Sequence, residues 1–140
     1  QRTALVKNVA ARRRQWPDLA SMKASLQTKS LYKRWQESAL DAFLEGGTRK
    51  VANGVELSCN PKWEASIFGS YPKGLWKAVK KVSIPVEILV AERSYGFIKA
   101  SARKAVSMNS NIQWQPVAGS HCFPMESPQQ TAQIVRNLSA

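Results

Sequence analysis

His121 is the chain's only histidine. It lies in the run Val117-Ala118-Gly119-Ser120-His121-Cys122-Phe123-Pro124-Met125-Glu126-Ser127-Pro128. Imidazole is the side chain best suited to moving protons near neutral pH. A strand-like stretch, 111 to 115, leads into this run, and a helix-like stretch, 128 to 138, leaves it. The histidine is therefore expected on a loop just past a strand end, where open α/β sheets bind ligands. Gly119 and Ser120 let the backbone turn sharply enough to aim the ring into a cleft. The two cysteines, Cys59 and Cys122, have no metal-like spacing, and one histidine cannot complete a Cys-His cluster. They read as free thiols rather than a disulfide.

The elements that must hold His121 follow from periodicity. Apolar residues predict a helix over 5–14 (Leu5, Val6, Val9) and another over 18–26 (Leu19, Met22, Leu26). Asp18 suits the positive end of the second. The clearest helix is predicted over 31–44, striped by Leu31, Trp35, Ala39, Leu40, Phe43 and Leu44 and closed by Gly46-Gly47. Asn53-Gly54, between Val51 and the alternating Val55 and Leu57, predicts a tight hairpin. Residues 61–68 read as a short helix with Trp63, Ile67 and Phe68 inward.

Gly69-Ser70-Tyr71-Pro72 reads as the domain boundary. Beyond it come a helix over 74–81, an apolar strand over 86–91 and a helix over 97–108 striped by Phe97, Ile98, Ala102, Ala105 and Val106. A strand over 112–115 and a helix over 128–138, with Ala132, Val135 and Leu138 inward, complete the chain. Helix and strand alternating in this way make a parallel βαβ unit. The fold class read from the pattern is α/β.

Strand, Gly-Ser-His, Pro-x-Glu-x-Pro and a closing helix together resemble the C-terminal end of α/β-hydrolase fold proteins. Ile84-Pro85-Val86-Glu87-Ile88-Leu89-Val90-Ala91-Glu92-Arg93-Ser94 looks like that family's penultimate core strand. Arg12-Arg13-Arg14-Gln15-Trp16-Pro17 and the helices after it look like the cap many members insert, ending near Pro61-Lys62-Trp63-Glu64-Ala65. The resemblance implies a helical cap over 1–71, then the last two parallel core strands with flanking helices over 72–140.

It also implies a cap-bearing serine hydrolase cutting an ester or related bond of an apolar small molecule. His121 would be the general base of a Ser-His-acid triad. No Gly-x-Ser-x-Gly nucleophile elbow occurs in the sequence. The family's nucleophile precedes its cap, so the chain is expected to be a fragment, a degenerate product or one half of a two-chain enzyme, inactive alone. Where an acid often follows the penultimate strand stands Ser94. Glu92 is the acid this sequence offers; otherwise the acid belongs to the missing half. Trp16, Trp35, Trp63 and Phe123 are the candidate lining of an apolar pocket. The resemblance implies no cofactor and no metal.

The formal net charge is +12. The excess is spread, with 11 basic and 4 acidic residues in 1–50 and 10 and 5 in 51–140, which is a weaker footprint than one basic block. The alternative reading is a small basic module binding nucleic acid or anionic surfaces through Arg12 to Arg14 and the lysines of 73–81. No zinc-finger spacing, RNP-type aromatic motif or GXXG loop supports it, so no specific nucleic-acid partner is expected. The expected partners are the apolar ester-like substrate and a separately supplied N-terminal half. No apolar run approaches the roughly 18 residues of a membrane span. A cytoplasmic location is expected, with any leader outside this chain.

Overall fold

The computed structural model describes residues 2 to 139; Gln1 and Ala140 lie outside the described residues. The chain divides into two compact units, one ending at Pro72 and the other starting at Lys73.

The first unit runs α1 (Arg2–Ala10), β1 (Gln15–Trp16), α2 (Leu19–Gln27), α3 (Glu37–Gly46), β2 (Thr48–Val51), β3 (Gly54–Leu57) and α4 (Pro61–Gly69). Strands order β1-β3-β2, both pairings antiparallel. The β2–β3 hairpin turns through Ala52 and Asn53, and Gly54 takes φ 119. A Cβ on Gly54 would stand 2.2 Å from the Trp16 carbonyl oxygen, so only glycine lets β1 approach there. Trp16, Met22, Leu26, Tyr32, Leu40, Leu44, Val55 and Leu57 form one buried cluster, with Trp35 and Phe43 packed against it. Asp18 caps α2 by accepting from the Ser21 amide at 2.7 Å.

Several expected boundaries move, each for a visible reason. The helix expected over 31–44 begins only at Glu37. Residues 28–35 are turns, closed by bonds such as Tyr32 N to Lys29 O at 3.0 Å. They swing Tyr32 and Trp35 onto Phe43, with ring centroids 4.8 to 5.8 Å apart, so aromatic packing overrides the helical stripe. The first helix stops at Ala10, because the chain must extend to pair β1 with β3. On α4 the inward face is Pro61 and Ala65; Trp63, Ile67 and Phe68 are exposed. That turn of α4 brings Glu64 to Arg12.

The second unit runs α5 (Leu75–Lys80), β4 (Val86–Arg93), α6 (Gly96–Met108), β5 (Ile112–Ser120), α7 (Phe123–Glu126) and α8 (Pro128–Ser139). β4 and β5 pair in parallel, Val86 opposite Ile112 and Ala91 opposite Val117. Val90 and Ala91 on β4, Ile112 and Val117 on β5, and Ala102 and Ala105 on α6 are buried. Asn109 locks the end of α6 to α5 by donating to the carbonyls of Val79 and Val82, both at 2.8 Å. β5 runs five residues past Gln115, through Pro116. On α8, Thr131 and Ile134 are half-buried, whereas Ala132, Val135 and Leu138 are exposed. Phe97 is also exposed, stacked on Tyr95 instead of packed under α6.

Candidate functional site

His121 is the first residue after β5, at the carboxyl end of the parallel pair. Its position depends on a bulge. Ala91 stands opposite Val117 but Arg93 opposite Ser120, so β5 has one more residue than β4 between these pairs. Gly119 absorbs it at φ 116, and a Cβ there would lie 2.8 Å from the Phe123 Cβ. Past the bulge the chain enters α7, a single turn with Pro124 at its start. Glu126 folds back from that turn. Its Oε2 accepts from the Ser120 amide at 3.0 Å and its Oε1 from the Ser120 hydroxyl. Both bonds fix the residue beside His121, so the loop is held by a charged clamp.

Ser94 and Tyr95 both meet the imidazole. Ser94 Oγ lies 2.9 Å from Nδ1. The Tyr95 ring meets the imidazole nearly edge-on, centroids 5.3 Å apart. Ser94 closes the turn after β4, its amide donating to the Ala91 carbonyl at 2.9 Å. Two strand ends laid side by side by the β4–β5 pairing therefore deliver the two halves of one hydrogen bond, 27 residues apart in sequence.

The structure brings some expected residues together and separates others. Glu92, the acid offered by the sequence, is exposed, and the group that meets the imidazole is Ser94. Residues two apart share a face only while the strand continues; β4 ends at Arg93, and the turn at Ser94 breaks that relation. Glu92 instead contributes its carbonyl, which accepts from Lys99 Nζ at 2.5 Å. Phe123 is half-buried and lines a hollow of about 200 Å³ with Gln115, Val117, Thr131 and Ile134. Trp16, Trp35 and Trp63 belong to the first unit. Trp16 is sealed in its core, Trp35 packs on that core, and Trp63 is 75% exposed. Sequence reasoning gave no role to Glu126; its place in a proline-started turn six residues after Ser120 was the available signal.

The arginine run is not a free cationic patch. Arg12 Nη1 meets both Glu64 oxygens, at 2.9 and 2.6 Å, and its Nη2 donates to the Tyr32 hydroxyl at 3.0 Å. Arg14 and Arg49 converge on Glu56 Oε1, at 2.8 and 2.6 Å. Hydrogen bonding from Arg49 first, opposed by burial and helped by Arg14, holds the Glu56 carboxyl below its ordinary range. Arg13 sits over the Trp16 ring, 5.1 Å from its centroid. Among the described residues, no group of three His, Cys, Asp or Glu side chains could hold a metal ion, and no helix is long and apolar enough to cross a membrane.

No family model and no curated protein matches this chain in sequence. Several solved structures match it in three dimensions, two of them as follows. E-2-(acetamidomethylene)succinate hydrolase aligns over 99% of this chain and 53% of its own, with a TM-score of 0.76 at 22% identity. A thioesterase domain from the curacin biosynthetic pathway aligns over 96% and 50%, with a TM-score of 0.69 at 11% identity. The chain shares its α/β fold with part of these two structures. It spans about half the length of the structures it matches.

Proposed function

We propose that this chain is the C-terminal portion of an α/β hydrolase that cuts an ester or related bond of an apolar small molecule. His121 is the general base, and the first unit has the role of the cap. The observation that carries this reading is the placement of the chain's one histidine. It sits at the carboxyl end of two parallel strands, with Nδ1 tied to Ser94 Oγ at 2.9 Å on an otherwise exposed ring. An imidazole bound at Nδ1 has Nε2 left to take a proton from an attacking hydroxyl and return it to the leaving group. Glu126, through Ser120, holds the loop so that the ring stays aimed. The names of both structural neighbours describe hydrolytic enzymes, which supports the same class of reaction.

The serine nucleophile and its oxyanion amides are expected upstream of these residues, so the isolated chain should not turn over an ester. The test is hydrolysis of a p-nitrophenyl ester by the purified chain. The expected result is a rate equal to that of buffer. Sustained turnover that disappears in His121→Ala would overturn the reading, because the nucleophile would then lie within these residues.

A further inference from the structure

We infer that Ser94 is the positioning residue of His121: its hydroxyl accepts the Nδ1–H and so reserves the Nε2 lone pair for chemistry. This rests on the reading of His121 as a base.

A neutral imidazole has one N–H and one lone pair, and the partner of one nitrogen sets the character of the other. Ser94 Oγ, 2.9 Å from Nδ1, could play either part, since a hydroxyl both donates and accepts. If it donated, Nδ1 would be the basic nitrogen and Ser94 itself the hydroxyl being activated. Two features argue against that. A nucleophilic serine between strand and helix sits on a sharp, strained turn, yet among the described residues every positive φ belongs to a glycine. Ser94 is also half-buried while His121 is exposed, so the histidine is the more open residue of the pair.

Of the second unit's carboxylates, Glu126 accepts from Ser120, and Glu92 is exposed at the end of β4. Glu87 lies in the body of β4, opposite Gln113. The hydroxyl orients the ring but carries no charge, so it does not stabilise an imidazolium as a carboxylate would.

Because His121 is the only histidine, long-range proton–nitrogen NMR reads its tautomer directly on the chain as it stands. The expected spectrum has a protonated Nδ1 and an unprotonated Nε2 in the neutral ring. Ser94→Ala should move the tautomer ratio toward Nε2–H by about fivefold, the change one ordinary hydrogen bond gives. Ser94→Thr, which keeps the hydroxyl, should hold the ratio near its original value. An Nε2–H tautomer in the unsubstituted chain would overturn the inference, whether or not the alanine variant folds. So would a ratio that ignores Ser94→Ala while the amide spectrum stays folded. None of these readouts needs turnover, so failure here is distinct from failure of the hydrolase reading, which the ester assay reports.

Discussion

The first unit gathers its large buried side chains into one cluster; the second buries smaller ones along its strand pair and α6. In the first, Met22, Leu26, Leu40, Leu44 and Leu57 are sealed with Trp16 and Tyr32. Four of its cations are drawn onto its own carboxylates, Arg12 on Glu64, Arg14 and Arg49 on Glu56, and Lys23 on Glu37 and Asp41. In the second, the described sheet has two strands, and Ile84, Tyr95, Phe97, Met125, Val135 and Leu138 are exposed. Two parallel strands usually belong to a larger sheet covered on both faces. The first unit too exposes large apolar side chains, Trp63, Ile67 and Phe68 among them, so the difference lies in the core and not in the surface. The contrast teaches that the same chain carries one part held by a cluster of large side chains and by ion pairs, and one part held by a strand pair and its helices, with the histidine on the second.

The largest expected effect is in the first unit's core. Leu40 is 2% exposed, so Leu40→Ala should cost about 2–5 kcal/mol through lost burial and a residual cavity. Denaturant unfolding followed by the Tyr32 ring signal and by the His121 ring signal would read the two units separately. The contrast breaks if both ring signals are lost at the same midpoint.

The two glycine bends give the next comparison. Gly54→Ala should detach β1 from β3 and lower the first unit's melting temperature, because the new methyl meets the Trp16 carbonyl. Gly119→Ala meets Phe123 instead and should shift the His121 ring signal with little change in melting. Equal melting losses from both substitutions would show that the second unit is as tightly built as the first.

Acid should then act on the first unit through Glu56. Its folded carboxyl is held below the ordinary value, so its contribution is present above the unfolded pKa and is lost as pH falls through the folded one. Melting temperature should fall below about pH 4.5, the carboxyl's ordinary range. Glu56→Gln should flatten that fall; an unchanged acid limb would remove Glu56 from the explanation. The smallest effect concerns charge. Labelled duplex DNA should bind weakly, without sequence preference, and release by physiological salt, since scattered cations act only through counterion release. Sequence-selective binding that survives that salt would favour the basic-module reading.

Legibility in the sequence followed the range of the forces involved. Local signals were readable: the Asn53-Gly54 hairpin, the Asp18 start of α2, the alternation of helix and strand after Pro72, and the strand-end place of His121. What escaped depended on partners far along the chain. β1 exists only because β3, some 40 residues later, pairs with Gln15 and Trp16. The helix expected from Leu31 yields to a cluster that Tyr32 and Trp35 make with Phe43. The Ser94–His121 contact spans two strand ends, and no spacing rule within one element predicts it.

The most direct test joins this chain to the polypeptide encoded immediately upstream and measures kcat/KM for a p-nitrophenyl ester with and without His121→Ala. The account predicts hydrolysis by the joined protein and a fall of at least about a thousandfold in the variant, as when a triad base is removed. Hydrolysis that persists undiminished without His121 would contradict it.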